Sequence, residues 1–311
     1  MGLGQSHHKY DVIEYEFLYL PTRPILTKKT LLVARSILLN HHLLHTTFPT
    51  EFSIKKIAFK ILKYPLQQKD LRKVLNQANK TLHSADLINV ANNDDKSMLI
   101  SYGFSSQKII VQQYGLHKER QVSLSNTHNN WLEDKIITFI GTFDYRKGCI
   151  DIANCFKLIK ESHPEVKLRL IGVKGMFQTQ EAIYRFFHQS IQESVEIILR
   201  FDPGELERYI SDSYMAIFPS YLESFGFSVL EQMAARIPVV SYNCPGPGSI
   251  NIKECLIEVG DSKSFAKRCL EILSNENLRK QLGEKSYHKS LQFFWPDTVK
   301  GTLQLYEEMI S

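Results

Sequence analysis

The feature that most constrains the fold is an alternation of short apolar segments with single helical segments between residues 135 and 242. Parallel strands need crossover connections of this kind, so the pattern predicts a doubly wound α/β sheet whose ligands bind beyond the carboxyl ends of the strands. The predicted strands are 135–141, 167–173, 195–201, 214–220 and 238–242. The predicted helices are 149–163, 181–194, 204–213 and 227–236.

A second α/β pattern occupies the first 125 residues. It predicts four strands, the first of which opens near residue 11 without the glycine-bearing turn of a complete Rossmann-like half. We therefore expect residues 1–125 to form a partial N-terminal domain, 126–290 a C-terminal domain and 291–311 a closing amphipathic helix. The polar, aperiodic segment 117–134 predicts the linker between the domains.

Composition sets the broad class of the protein. The 311 residues suffice for two α/β domains, and the hydrophobic and charged fractions of 43% and 23% are those of a globular protein. We see no signal peptide and no apolar run that would span a bilayer. The five cysteines include no CxxC pair, which favours free thiols in a reducing compartment. These features predict a cytoplasmic protein.

The positive charge lies in the N-terminal part of the chain. Residues 1–134 hold 17 Lys and Arg against 11 Asp and Glu, whereas 135–311 hold 21 against 22. Segment 52–64 combines an apolar stripe with four lysines, which is typical of a helix that lies on an anionic membrane and equally of a core-packed helix with a solvated lysine face. Nucleic-acid binding is not expected, because aromatic residues do not interleave with the basic ones.

The segment FPSYLESFGFSVLE carries the first candidate site. A strand is followed by a loop with Glu223 and Gly226 and then by a helix, whose N-terminal N–H groups favour an anion. Ser224 adds a hydroxyl donor, and the Glu231 carboxylate can accept hydrogen bonds from a vicinal diol such as a ribose. The alternative is that Glu223 is a solvated loop residue and Glu231 only a favourable charge near a helix start.

The segment FIGTFDYRKGCIDI carries the second candidate site. It also follows a predicted strand and opens a helix, with the adjacent cations Arg146 and Lys147 at the turn and Gly148 before the helix. Cations beside helix-terminal N–H groups are suited to a diphosphate. The alternative is a solvated charged turn.

Taken together, these motifs resemble the family-4 retaining glycosyltransferases of the GT-B fold, also described as glycosyl transferases group 1. ESFGFSVLE carries the two glutamates separated by seven residues that mark that family, and LRLIGVKG, DPGELERYISDSYMAIFPS and PVVSYNCPGP are similar to it. The resemblance implies two Rossmann-like domains facing a cleft, the first of them incomplete here. It also implies that 291–311 crosses back to the N-terminal domain.

The resemblance also implies roles for individual residues. Glu231 would hold the ribose hydroxyls, while Glu223 and the backbone after it would contact the transferred sugar and its phosphate. Thr142 stands where the family usually has arginine, and Ile37 where it often has histidine. The implied catalytic residues are Glu223, Lys147 and Arg146. The implied donor-binding residues are Gly141, Thr142, Leu206, Ser224, Phe225, Gly226, Phe227 and Glu231, and the implied acceptor-side residues are His41 and His42.

The resulting hypothesis is transfer of a hexose from a nucleoside diphosphate sugar to a glycan or lipid-linked acceptor, with retention. No cofactor is expected. No metal is expected either, because the chain has no Asp-x-Asp pair and HHLLH at 41–45 has no supporting carboxylate or cysteine cluster. The alternative is a catalytically impaired or N-terminally truncated GT-B remnant that binds a nucleotide or a partner without transfer.

Overall fold

The structure is a computed structural model that describes residues 10–18, 30–49, 54–127 and 135–311, with only the backbone described for 54–68. Its strands are β1 (Val12–Glu16), β2 (Leu31–Arg35), β3 (Leu87–Val90), β4 (Ile109–Val111), β5 (Ile136–Ile140), β6 (Lys167–Ile171), β7 (Val195–Ile198), β8 (Ser213–Phe218), β9 (Val239–Tyr242) and β10 (Leu256–Ile257). Its α-helices are α1 (Ile54–Ser84), α2 (Asn93–Ser101), α3 (Lys118–Ser125), α4 (Cys149–Ser162), α5 (Gln180–Tyr184), α6 (Leu206–Ile210), α7 (Phe227–Ala234), α8 (Pro247–Ile250), α9 (Ser262–Ser274), α10 (Glu276–Ser290) and α11 (Trp295–Ile310).

The described residues form two compact units. The first unit contains the residues up to Gly115, except a short segment that begins at Thr47, together with Phe294–Ser311. The second unit contains that short segment and Leu116–Phe293. The boundary at Gly115 lies ten residues before the predicted one, because the residues after it form α3 of the second unit instead of a linker. Residues 128–134 of the predicted linker lie outside the described residues.

The first unit is built on a parallel sheet with the strand order β1-β2-β3-β4. Side chains alternate between its two faces, as they do in any strand. Leu31 and Val33 pack on one face with Tyr306 of α11, whereas Ala34 and Ile88 pack on the other face with side chains of α1 and α2. Both faces are therefore covered, which explains why the inner strands β2 and β3 are almost wholly buried.

Helix α11 is fixed to the first unit by hydrogen bonds as well as by apolar packing. The Tyr306 hydroxyl donates to Glu14 Oε2 over 2.6 Å, and the Thr298 hydroxyl donates to the Gln113 carbonyl over 2.9 Å. Arg35 forms an ion pair with the same Glu14 carboxylate. The end of the chain is thus part of the first unit.

The second unit is built on a six-stranded parallel sheet with the order β10-β9-β8-β5-β6-β7. The chain runs outward from β5 to β7 and then returns to place β8 on the other side of β5. This is the doubly wound arrangement predicted from the sequence, and it has one point of strand-order reversal between β5 and β8. Every residue of β5 and β8 is buried.

Helix prediction failed in one segment of the second unit. Residues 181–194 were expected to form one helix, but α5 ends at Tyr184 and a separate 3-10 helix covers Gln189–Ser194. The intervening Phe186 and Phe187 turn inward against Phe143, with ring centroids 5.2 and 6.2 Å away. Aromatic packing at this point overrides the local helical pattern.

In the first unit, α1 contains most of the predicted helical segment 52–64 and continues to Ser84 as one helix of 31 residues. The side chains of 54–68 are not described, so the apolar stripe and the lysine face predicted for 52–64 stay predictions. Among the helices that the structure describes, none has both the length and the hydrophobicity needed to cross a membrane.

A close backbone contact fixes the start of α4 against the end of β8. Gly148 has φ +75°, and a Cβ atom added there would lie 2.1 Å from the Pro219 carbonyl oxygen. Only glycine combines that left-handed conformation with the missing side chain. This contact brings the loop after β5 against the loop after β8.

We expect Gly148→Ala to destabilise the protein more than Gly260→Ala does. Gly260 has a similar φ of +85°, but its added Cβ would meet Tyr221 at an ordinary 3.8 Å. The control therefore carries backbone strain alone, about 1–2 kcal/mol, whereas Gly148→Ala adds about 1–3 kcal/mol of overpacking. Urea denaturation of both variants measures the difference, and equal losses would contradict the close contact.

Candidate active site

The candidate site lies at the carboxyl ends of β5 and β8, where the strand order reverses. The loop Gly141–Gly148 follows β5 and leads into α4, and the loop Pro219–Gly226 follows β8 and leads into α7. Ligands of doubly wound sheets bind in the crevice at such a point. Both segments singled out in the sequence therefore meet at the position that the topology favours.

The Glu223 carboxylate is the centre of this site. Its Oε1 atom lies 2.9 Å from Arg146 Nη1 and 2.5 Å from Lys147 Nζ, and it accepts a hydrogen bond of 2.7 Å from the Ser220 hydroxyl. Two cations share one carboxylate, so this group carries a net positive charge. The sequence prediction that Glu223, Arg146 and Lys147 come together is consistent with this geometry, whereas it gave Ser220 no role.

Further contacts hold the two cations in place. Arg146 Nη1 also donates to the Leu222 carbonyl oxygen over 2.7 Å, and Lys147 Nζ lies 4.9 Å from the centroid of the Phe218 ring. An ammonium at this distance from an aromatic face gains a cation–π interaction. The side chains are only 27% and 13% exposed, which limits solvent screening of their charges.

Asp144 shapes the loop that carries Lys147. Its carboxylate accepts hydrogen bonds from the Thr142 hydroxyl at 2.7 Å and from the Lys147 backbone N–H at 2.9 Å. Thr142, predicted to bind the donor, thus donates its hydroxyl hydrogen to Asp144. Gly141, the residue before it, has φ +144°. Asp144 was not among the predicted site residues, although an Asp in a turn commonly accepts hydrogen bonds from nearby backbone N–H groups.

Helix α7 presents its N-terminus at the same place. Gly226 is the N-cap with φ +93°, and its added Cβ would lie 3.2 Å from Pro247. The Phe225 and Ser224 side chains are 2% and 9% exposed, so Phe225 offers mainly its backbone to a ligand. The Phe227 ring is 47% exposed. The N–H groups of this first turn favour an anion.

Glu231 lies one turn further along α7 and is bound by an arginine that the sequence analysis did not identify. Arg120 Nη2 and Nε donate to Glu231 Oε1 over 2.8 and 3.1 Å, and Arg120 Nη1 donates to Glu207 Oε1 over 2.9 Å. Burial raises the pKa of the Glu231 carboxyl, and the Arg120 charge opposes that rise. Arg120 carries no motif and lies in the segment predicted to be a linker.

Leu206, predicted to flank the donor base, is only 1% exposed. Its side chain faces the core of the second unit at the start of α6. Because this side chain is buried, a donor contact predicted at this position would involve the backbone only. The sequence pattern did not show which side of the short helix would be buried.

The two histidines predicted on the acceptor side are buried in the first unit. His41 is 0% exposed, its Nε2 lies 2.8 Å from Asn79 Oδ1, and burial lowers its pKa. His42 Nε2 lies 2.8 Å from Asp95 Oδ1, and burial raises the pKa of that carboxyl. Both rings are thus held inside the first unit by polar partners, and the acceptor-side role of His41 and His42 stays a prediction.

In the described ranges, no three His, Cys, Asp or Glu side chains are grouped as metal ligands. The five cysteines are all buried, and none of them forms a disulfide.

The family model described as glycosyl transferases group 1 matches residues 123–289, which include both loops of the site. The chain belongs to this family. The match covers the second unit from α3 to α10.

Curated relatives support the same family. The chain is 26% identical over 245 residues to an uncharacterized glycosyltransferase of Methanocaldococcus jannaschii, covering 74% of this chain and 68% of that protein. It is 22% identical to the capsular polysaccharide biosynthesis glycosyltransferase CapM of Staphylococcus aureus, covering 69% of this chain and 60% of that protein. The chain thus spans about two thirds or less of the length of these relatives.

Solved structures show the fold. Anabaena HepE, crystallised with UDP and glucose, matches 99% of this chain and 79% of its own with a TM-score of 0.67 and 18% identity. At that identity the likeness concerns the fold alone. The fold is that of the GT-B glycosyltransferases, as the family resemblance predicted.

The raised pKa of Glu231 predicts a pH-dependent stability difference. The folded protein keeps the Glu231 proton to higher pH than the unfolded chain, so ionisation lowers the free energy of unfolding as pH rises from about 4.3 through the folded pKa. Glu231→Gln removes this loss. We expect the stability of Glu231→Gln relative to the wild type to increase over that pH window in urea titrations. The exposed Glu258 supplies the control Glu258→Gln; a relative stability of Glu231→Gln that falls with pH would contradict the prediction.

Proposed function

We propose that this chain transfers a hexose from a nucleoside diphosphate sugar to a glycan or lipid-linked acceptor, with retention of the anomeric configuration and without a metal ion. The observation that carries the proposal is the convergence of Arg146 and Lys147 on Glu223 at the strand-order reversal. HepE was crystallised with UDP and glucose, and CapM takes part in capsular polysaccharide biosynthesis, which supports a nucleotide-sugar donor and a glycan acceptor.

The diphosphate is proposed to bind between the two loops. Arg146 and Lys147 come from the loop after β5, and the N-terminus of α7 follows the loop after β8. As the glycosidic bond of the donor breaks, negative charge gathers on the leaving diphosphate. Fixed cations and oriented N–H groups stabilise that charge without reorganising, which is the largest single contribution in many enzymes. Because Arg146 and Lys147 supply the positive charge, the proposal requires no metal ion.

The proposed position of the sugar is beside Glu223. In this proposal, Glu223 holds the two cations and contacts the hexose, with the backbone of Ser224, Phe225 and Gly226 beside it. Glu231 accepts hydrogen bonds from the ribose hydroxyls, because a carboxylate oxygen has two lone pairs for them. The backbone around Leu206 flanks the base.

The proposed reaction passes through an oxocarbenium-like state at the anomeric carbon, as glycoside hydrolysis does. The acceptor hydroxyl attacks from the face that the diphosphate leaves, so no covalent intermediate with the protein is required. The acceptor oxygen forms the new bond, the anomeric carbon–phosphate oxygen bond breaks, and the acceptor proton passes to the departing phosphate oxygen.

A cytoplasmic location, at the inner face of a membrane for a lipid-linked acceptor, belongs to the same proposal. Its support is the excess of basic residues in the N-terminal part and the lysine-rich segment 52–64.

Lys147→Ala is expected to lower the rate of hexose transfer by about two to three orders of magnitude, the usual effect of removing one group that stabilises developing charge. The measurement is product formation with UDP-, GDP- and ADP-hexoses. The exposed Lys157 on α4 gives the matched control Lys157→Ala. Unchanged turnover in a folded Lys147→Ala variant would remove this lysine from the mechanism.

Retention predicts the stereochemistry of the product. An α-linked donor is expected to give an α-linked product, because attack and departure take place on one face of the sugar. The coupling constant between the first two sugar protons in the NMR spectrum of the initial product reports the configuration. A β-linked product from an α-linked donor would exclude the proposed mechanism while leaving donor binding intact.

A further inference from the structure

Arg120 is a charged residue that contacts Glu231 and that the proposed function does not use. We propose that Arg120 is a positioning residue for the nucleotide: it orients Glu231 and keeps it ionised, so that one carboxylate oxygen is open to the ribose hydroxyls. This inference rests on the proposed function, because it assigns Glu231 to the ribose. It concerns a residue outside every motif by which the family is recognised in this sequence.

The first support is that the Arg120 guanidinium donates hydrogen bonds to two carboxylates, those of Glu231 and Glu207. Its Nε and Nη2 atoms both donate to Glu231 Oε1, and its Nη1 atom donates to Glu207 Oε1. Ser123, one turn along α3, donates to the same Glu207 oxygen over 2.7 Å. A guanidinium is a rigid planar fork, so these bonds fix the position of Glu231 Oε1 relative to Glu207.

The second support is that the other oxygen of the Glu231 carboxylate, Oε2, remains available to a ligand. Two N–H groups of Arg120 use both lone pairs of Glu231 Oε1. Among the described residues, none donates a hydrogen bond to Glu231 Oε2. That oxygen has two lone pairs of its own, which suffice for the two hydroxyls of a vicinal diol. The arrangement thus divides the carboxylate into one oxygen held by the protein and one oxygen available to a ligand.

The third support is the balance of charge. Arg120, Glu207 and Glu231 have side chains that are 20–22% exposed, so one cation lies between two partly buried carboxylates. Burial raises the pKa of Glu231 and the charge of Glu207 adds to that rise, whereas Arg120 opposes both effects. Without the cation, Glu231 would hold its proton to higher pH, and a protonated carboxyl is a poorer acceptor for hydroxyl hydrogens.

A purely structural role for Arg120 is the alternative, since it also joins α3 to α6 and α7. Arg236 provides a matched comparison within the same unit. Its Nη1 donates to the Ser125 carbonyl at the end of α3 over 2.9 Å, and its Nε pairs with Glu284 at 3.0 Å. Arg236 therefore holds the same helix without contacting Glu231.

The experiment measures equilibrium binding of UDP, GDP and ADP, and of their 2′,3′-dideoxy forms, to the full chain. The quantity of interest is the ratio of the dideoxy to the ribose dissociation constant. In the wild type we expect a ratio of about tenfold or more, because hydrogen bonds to a charged acceptor are lost. Glu231→Gln and Arg120→Met are both expected to bring this ratio close to one, while Arg236→Met is expected to leave it at the wild-type value.

Arg120→Lys and the pH profile separate orientation from ionisation. Lysine keeps the charge but cannot hold the carboxylate as a fork. We therefore expect a smaller ratio of the dideoxy to the ribose dissociation constant at neutral pH. The acidic limb of the pH profile of this ratio is expected to lie near that of the wild type. In Arg120→Met, whose ratio is expected to be close to one at neutral pH, any preference for ribose is expected only at higher pH than in the wild type. If Arg120→Met fails to fold, the ratio measured with Arg120→Lys still tests the inference.

The outcomes are distinguishable. If the ribose preference is lost in Glu231→Gln but kept in both Arg120 variants, the inference is overturned and the proposed function stands. An equal loss in Arg236→Met also overturns it, because holding α3 would then be sufficient. If no nucleoside diphosphate binds the wild type, the proposed function fails and the inference fails with it.

Discussion

The interaction on which the candidate site depends is the sharing of one carboxylate oxygen, Glu223 Oε1, by Arg146 and Lys147. The two cations come from the loop after β5 and the carboxylate from the loop after β8, so the ion pairs join two loops that are far apart in sequence. Two adjacent cations would repel each other without the carboxylate, and a mostly buried carboxylate is costly without cations. The loops therefore support each other, and the cluster keeps an excess of positive charge.

This arrangement is possible because of how the sheet is wound. The return of the chain to place β8 beside β5 brings two strand ends together, each followed by a glycine and a helix. Gly148 then allows the start of α4 to touch the Pro219 carbonyl, and Gly226 begins α7 in a left-handed conformation. Backbone geometry, rather than side-chain length alone, thus sets the position of the charges.

Much of this could be predicted from the sequence, for physical reasons that are specific to each part. Buried parallel strands such as β5 and β8 are continuous apolar runs, and a motif that directly follows such a run must lie at its carboxyl end. Contacts between distant segments gave no such signal. Arg120 lies in a polar stretch, the burial of His41 depends on α1 and on Tyr102, and the break after Tyr184 depends on packing against Phe143.

The most direct test of the account is a thermal-shift panel of UDP-, GDP- and ADP-sugars with the wild type and Lys147→Ala. A ligand at about one hundred times its dissociation constant stabilises the folded state by about 2.7 kcal/mol. The account predicts that one nucleotide series raises the melting temperature of the wild type and that Lys147→Ala loses most of this rise. No rise with any series, or an equal rise in both proteins, would contradict a nucleotide-sugar site at the carboxyl ends of β5 and β8.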